Sequence, residues 1–584
     1  MERAAKDGHP IPFFSINDKR RRYKHAIVFL SQFKPSSPFS IFPLPFPSPV
    51  ILLDHHPLLH SPTMITFLDL PNEIQLIIGE HLPFKAIYSC IRVCRSFYST
   101  FIPRLWSDLH IAHHTYDNVP VTSIRANAHH VETINYPSIL TGDYYTIFYP
   151  RLHTIKTNTY YMDKNDPDFL LVTPLQKIEF ARFHPTVRKL VYNHNDILPK
   201  EFWEVIGTEW TQLEDLEFEG VVEADAVDAF WRVCDQVQRL YLENVIFPES
   251  VLVPPTLSFR QLLSLTIEKH GESIPRQTWP RQLLEQVKTA EGLRRIKWDM
   301  VDPPFPVQMV QEALAEGLWP ALCELSLADP IFPDQSLAQV LRILKPQSLK
   351  GLELRYGSAG PLTYKSLQEQ HFDHLQELRI GGCSGVTSAM VQEVLMECSR
   401  LVDFDAPFVF VRDIVKAPKP WSCLKLERLW VCIVKQDGDE IEWNGQVMRQ
   451  ISQLRRLQTL SVDSIAANLL MDNEPLSSAL QNAGALDLRL LATSQSISTD
   501  NCSSNGDETG GGSSDLRCWA SLVQLKLFWF DRDYQTLGME EALWMMEHWR
   551  NMWCLEGTFN GVAEGDDTER LRWLFKEKGI TYYR

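Results

Sequence analysis

Residues able to do chemistry are sparse in this chain and do not converge on a site. Three adjacent histidine pairs, His55-His56, His113-His114 and His129-His130, are of a type that ligates metals. Neighbouring residues on a helix or strand point to different sides, and no Cys or His partners stand at ligand spacing. The pairs therefore predict no metal site and no cofactor. No Gly-rich phosphate loop ends in Lys-Ser/Thr, and neither G-x-G-x-x-G, H-E-x-x-H nor G-x-S-x-G occurs. A hydrolase would need a nucleophile–base pair, and none is on offer. The 11 cysteines form no C-x-x-C, Cys90 and Cys94 being the nearest pair, which suits buried thiols in a reducing compartment. No residue is predicted to be catalytic, so the chemistry to look for is binding.

The elements that would position binding residues follow from length and pattern. At about 150 residues per domain, 584 residues allow about four domains or one long array. The net charge is −16. Residues 1–63 hold eight Lys/Arg and four Asp/Glu, leaving 49 − 69 = −20 for the rest. An acidic body disfavours nucleic acid and anionic membrane as partners. No apolar run reaches the 18–20 residues of a membrane span, and the greasy stretch 39–53 is interrupted by Pro43, Pro45, Pro47 and Pro49. Nothing resembles a signal peptide, so cytoplasm, nucleus or both are expected.

Residues 1–63 read as a disordered, basic and Pro-rich extension, with eight prolines between Pro35 and Pro62. Its cluster Lys19-Arg20-Arg21-Arg22 is either a solvated charge run or a nuclear-import signal, and Met64 is a candidate true start of translation. From Phe67 to Ile111 the spacing predicts a small helical unit. Pro71 and Glu73 suit a first helical turn. Ile74, Ile77, Ile78 and Leu82 share a face, and Ile87, Cys90, Ile91 and Cys94 share another. A third helix carries Val93, Phe97 and Phe101, and Pro103 with Leu105-Trp106 closes the unit.

Beyond it, L-x-x-L-x-L recurs, with first positions at Leu213, Val237, Leu262, Leu293, Leu322, Leu349, Leu375, weakly Leu401, then Leu426, Leu457, Ala485 and Leu522. Spacings of 24 to 37 residues match a leucine-rich solenoid, whose units bury their apolar faces only by stacking. Weaker matches at Val131/Ile134, Leu152/Ile155, Leu175/Ile178/Phe180 and Val187/Leu190/Tyr192 suggest an irregular start. The Ser/Thr/Asn/Gly-rich stretch 493–514 reads as a flexible insertion. Two C-terminal helical patterns with Trp544, Trp549, Trp553 and Trp573 are expected to cap the last repeat.

The segment Leu70-Pro71-Asn72-Glu73-Ile74, Ile77-Ile78, Leu82, Val93-Cys94-Arg95-Ser96-Phe97 and Leu105-Trp106 resembles an F-box. Phe97 replaces the usual Trp, and Pro83-Phe84-Lys85-Ala86 replaces the usual Asp-Leu context. The unit around Leu375-Gln376-Glu377-Leu378-Arg379-Ile380, with Cys383 and Cys398, resembles the cysteine-containing leucine-rich repeat that often follows an F-box. The fold class is therefore read as α/β: a small all-α three-helix F-box, then a horseshoe of short parallel strands and helices. The boundaries are 1–63 extension, 64–111 F-box, 112–200 linker and irregular first repeats, 201–535 solenoid and 536–584 helical cap.

The resemblance implies a non-catalytic adaptor that docks the Skp-type linker of a cullin ubiquitin ligase and presents an unidentified protein substrate for ubiquitination. The matching docking positions are Leu70, Pro71, Ile74, Leu82, Val93 and Cys94, some of which also suit a helical core. The alternative is a leucine-rich scaffold whose F-box serves a complex without ubiquitination. On the concave face, the residue between the last two apolar positions of each repeat points outward. This row runs Glu217, Tyr241, Thr266, Lys297, Ser326, Glu353, Arg379, Asp405, Trp430, Ser461, Arg489 and Lys526. Exposed aromatics are favoured binding anchors, so Tyr241 and Trp430 are the candidate substrate contacts. The acidic run Glu214, Asp215, Glu217, Glu219 and Glu223 is either a solvated face or a site for a basic partner.

Overall fold

The computed structural model describes residues 67–110, 120–137, 142–158, 173–193, 197–248, 252–269, 279–300, 305–327, 333–355, 357, 359–435, 443–462, 484–485, 521–529, 539–557 and 566–583. The N-terminal extension with its basic cluster, Met64, His55-His56, His113-His114, Arg489 and the insertion 493–514 lie outside the described residues. Contacts divide the chain at Pro120/Val121.

The first unit holds a 3-10 turn, Phe67–Asp69, then helices α1 (Asn72–His81), α2 (Phe84–Cys90) and α3 (Arg95–Ser107), and a short strand β1 (Asp108–His110). The Pro71 carbonyl accepts from the Ile74 and Gln75 amides and so opens α1. α2 starts after Pro83, whose fixed φ suits a helix entry. The Cys94 thiol caps α3, accepting from the Phe97 amide at 3.5 Å. α3 carries Pro103 within it and runs on through Leu105-Trp106 to end at Ser107.

The second unit is a ladder of parallel strands. They are β2 (Thr133–Pro137), β3 (Thr154–Asn158), β4 (Lys189–Asn193), β5 (Asp215–Val221), β6 (Arg239–Ile246), β7 (Ser264–Glu268), β8 (Arg295–Asp299) and β9 (Glu324–Leu327). β10 (Gly351–Leu354), β11 (Glu377–Arg379), β12 (Asp403–Phe410), β13 (Arg428–Lys435) and β14 (Thr459–Ser461) follow. β15 (Gly484–Ala485) leaves the series, pairing antiparallel with the end of β13. β16 (Leu527–Trp529), β17 (Cys554–Glu556) and β18 (Thr581–Tyr583) then resume it.

One device repeats at every step. The carbonyl of the residue just before a strand accepts two amides from the next unit, except at the last step, where Trp553 O takes only the Thr581 amide. Thus Gln238 O takes the Leu263 and Ser264 amides, and Val402 O takes those of Glu427 and Arg428. In some units a large buried residue in a tight turn stands three residues ahead of the first leucine, such as Trp210 before Leu213 or Trp319 before Leu322. Their indole N–H groups donate back to Ala181 O at 2.8 Å and Val287 O at 3.0 Å, bolting each turn to the end of the previous helix. His371 meets Leu341 O at 3.0 Å in the same way. The repeat is therefore longer than L-x-x-L-x-L suggests.

The structure overturns several readings. Leu175/Ile178/Phe180 is no strand: Thr173 and Gln176 form a reciprocal capping box that starts the helix Pro174–Phe183. The weak Leu401/Phe404 unit gives a long strand, β12, which accommodates Pro407 at a register shift between Ala406 and Phe408. Ala485 adds no parallel strand, because β14 pairs directly with β16. The repeat assigned to Leu522/Leu525/Leu527 is displaced by three residues. Leu522 holds the turn position that Leu454 holds one unit earlier, and Ser461 lies opposite Trp529. The C-terminal cap alternates helix and strand, Met539–His548 before β17 and Asp566–Glu577 before β18. Trp549 is buried there against Phe528, whereas Trp553 and Trp573 are exposed.

Candidate functional site

In the first unit, the interior is aromatic. Phe67, Phe97 and Phe101 form a triangle with ring centroids 5.0 to 5.8 Å apart. α1 turns Gln75 and Gly79 towards this interior. A methyl group on Gly79 would meet Phe101 at 2.8 Å, so α1 and α3 approach as closely as a glycine permits. Gln75 is buried and satisfied, donating to Leu70 O at 2.8 Å and accepting from the Thr100 hydroxyl at 3.4 Å.

With Gln75 and Gly79 facing in, the apolar stripe of α1 must face out. Ile74 is 42% exposed and Ile77 49%. Phe84 at 59% and Val93 at 69% extend this surface from α2 and the turn after it. Leu76, Tyr88 and Tyr98 are exposed as well. Of the six residues expected at a docking face, Pro71, Ile74 and Val93 are exposed, while Leu70, Leu82 and Cys94 are half-buried. Cys94 has its cap to make, Leu82 closes α1 by donating to Gly79 O at 3.2 Å, and Leu70 presents its carbonyl to Gln75. Leu76, Phe84, Tyr88 and Tyr98 are not among the docking positions that the sequence predicts, although Phe84 stands in the segment that departs from the family pattern. The glutamine and glycine one turn apart on α1 were the available signal, since they mark which side faces Phe101.

In the second unit, the outward row of strand residues follows the ladder: Glu217 opposite Tyr241, Tyr241 opposite Thr266, Thr266 opposite Lys297, and so on to Asp405 opposite Trp430 and Trp430 opposite Ser461. Trp529, not Lys526, continues it, because Lys526 holds the carbonyl position before the strand. Tyr241 is committed within this face. Its hydroxyl lies 2.7 Å from Glu243 and 2.8 Å from Glu268, and burial, then Glu243 and Glu268, drive its pKa upward. Glu268 in turn pairs with Lys297. Trp430 is half-buried, its ring edge-on to Trp529 at 4.7 Å across the small Ser461.

Much of the remaining charge is also engaged along the ladder. Arg355 bridges Glu353 at 2.6 Å and Asp299 at 2.8 Å, and Asp403 takes Arg379 at 2.5 Å and Arg428 at 2.8 Å. Burial alone would raise the Glu353 pKa, but Arg355, Lys297 and Arg379 carry it below the usual range. In the acidic run, Asp215 pairs with Lys189 and Arg239, and Glu219 accepts from Asn244 at 3.0 Å.

No arrangement of catalytic type emerges. Among the described residues there is no group of three or more His, Cys, Asp or Glu able to hold a metal ion. His129 and His130 do not point apart as expected: they share a 3-10 turn, Ala128–His130, with ring centroids 3.8 Å apart. Burial pushes the Cys383 and Cys423 thiols up to about 12, which leaves them inert as nucleophiles. No described helix is long and apolar enough to cross a membrane.

The architecture is thus an F-box-type helical unit followed by a leucine-rich solenoid. Residues 67–112 match the F-box-like family model. No curated protein matches the chain. Among solved structures, the chain is similar to one described as the crystal structure of the Rad7 and Elc1 complex in yeast, at 13% identity and a TM-score of 0.40. That likeness covers 62% of this chain and 91% of the other.

Proposed function

We propose that the chain is a substrate-recognition adaptor of a Skp-cullin-F-box ubiquitin ligase. The F-box-like segment docks the Skp-type linker, and through it a cullin, while the solenoid binds a protein substrate. The observation that carries this reading is the outward apolar surface of the F-box-like unit over its described residues 67–110, with Ile74, Ile77, Phe84 and Val93 all exposed on a unit too small to hide them. Such a patch on a small helical unit is the mark of a partner interface. Such an adaptor holds its substrate near a charged ubiquitin carrier, and the rate gain comes from raised effective concentration.

Leu70, Pro71, Ile74, Leu82, Val93 and Cys94 form the proposed linker contact, and Trp430 and Tyr241 mark the strand face offered to substrate. The test is recruitment of purified Skp-type linker and cullin by the full chain and by a Leu70→Ala/Pro71→Ala variant. Wild type is expected to capture both proteins, and the variant, still folded by circular dichroism, neither. Capture of linker without cullin would favour a scaffold outside ubiquitination. No capture by a folded chain would remove the docking reading altogether.

A further inference from the structure

A cleft of about 580 Å³ opens where β5 and β6 end, and nothing in the F-box reading uses it. It exists because the two strands stop running in step. Glu219 lies opposite Glu243, but Val221 lies opposite Ile246, so β6 carries an extra residue. The backbone absorbs it with Gly220 at φ 151° and Asn244 at φ 49°. For Asn244 that left-handed conformation is held by its side chain, which donates to Glu219 at 3.0 Å. Bulges of this kind re-aim side chains at strand ends and concentrate beside binding sites.

The walls are apolar: Ile197, Val221, Ile246 and Phe247. Ile197 remains 46% exposed, a large aliphatic left against water. Glu223 and Asp225 stand on the rim, both exposed. Most other carboxylates of this region are paired, but these two have no ion-pair or hydrogen-bond partner among the described residues. The cleft is open to solvent, so it suits a side chain delivered on a surface better than an engulfed small molecule.

We propose that this cleft docks a protein segment in which one long aliphatic side chain is flanked by basic residues. The aliphatic group fills the space between Ile197 and Phe247, and its basic neighbours reach Glu223 and Asp225. Both the rim and the chain's net charge of −16 attract such a segment before contact is made.

The test is fluorescence anisotropy of a fluorescein-labelled peptide, Gly-Ser-Arg-Leu-Arg-Ser-Gly, against the full chain. Saturable binding is expected, weakened by about tenfold or more with Ile197→Arg, and by a similar factor when Leu of the peptide becomes Ser. Glu223→Gln with Asp225→Asn should weaken it several-fold and flatten its salt dependence. All three substituted positions are exposed, so the melting temperature should hold. Equal binding by wild type and Ile197→Arg would overturn the proposal, as would equal affinity for a peptide with Glu in place of Arg. Binding of a neutral apolar dye in the cleft without binding of the peptide would make this a small-molecule pocket and also overturn it. No linker enters the assay, so its outcome is independent of the proposed docking of the F-box.

Discussion

His184 illustrates how a single side chain can sit at a joint without being a ligand. It is buried, its Nε2 accepts the Tyr149 amide at 3.0 Å, and its Nδ1 donates to Phe180 O at 2.7 Å. Both ring nitrogens are used by the neutral tautomer, and burial pushes the pKa down to about 4 from the usual 6.5. Below 6.5 the unfolded chain takes a proton that the folded chain refuses until about 4. Stability should therefore fall as pH drops through this window, by at most about 3 kcal/mol. His184→Gln should flatten that part of the pH–stability curve measured by urea unfolding; an unchanged slope would contradict the assignment.

Asp334 is the matching case for a carboxylate. It accepts the amides of Gly360, Leu362 and Thr363, each at 2.9 Å, and so caps the helix Pro361–Gln370 of the next unit. Burial raises its pKa, but the Thr363, Leu362 and Gly360 bonds outweigh that and lower it. Its contribution is complete above the ordinary carboxyl range and is lost as pH falls through the lowered value. Asp334→Ala is expected to cost about 2 kcal/mol, read from the shift in unfolding midpoint.

For the elements, what decides legibility in sequence is whether the pattern belongs to one strand or to a contact between units. The leucines of β7 to β11 could be placed from spacing alone, since alternate burial follows from strand geometry. The capping box at Thr173 is local too, yet it was outvoted by three apolar letters at strand spacing. The shift that puts Trp529 in line with Ser461 could not be seen, because Leu522, Leu525 and Leu527 fit the repeat as well as Leu525 and Phe528 do. What separates the two registers lies in the folded backbone: the turn bond from Leu525 to Leu522 O and the Lys526 and Leu527 amides on Gln458 O. At the proposed docking face, the residue types are readable in sequence, but the direction of the stripe depends on Gly79 meeting Phe101. Gly79→Ala should therefore wedge α1 from α3. Overpacking costs about 1–3 kcal/mol and better helix propensity returns about 1, so a net loss is expected in this unit alone. Hydrogen exchange would show faster exchange over residues 72–107 and none over β7 to β11; uniform exchange would argue against the contact.

At the scale of the whole molecule, each strand of the solenoid is held mainly by the one before and the one after, so stability is a chain of neighbour terms. The join between β14 and β16 follows the same rule although residues 462–526 separate the two strands in sequence. Thr459, Leu460 and Ser461 find Leu527, Phe528 and Trp529 directly, and Leu460, Leu525 and Phe528 are buried around the join. Closing a longer connection costs little, since the entropy grows only with the logarithm of its length. Covalent continuity is therefore not what keeps this register. A chain cut once between residues 486 and 520 should elute as one particle on size exclusion and come apart only in denaturant; separation in native buffer would show that the peptide link is required. The join behaves as a seam: two edges held in one register by what they press against each other, whatever length of thread runs between them.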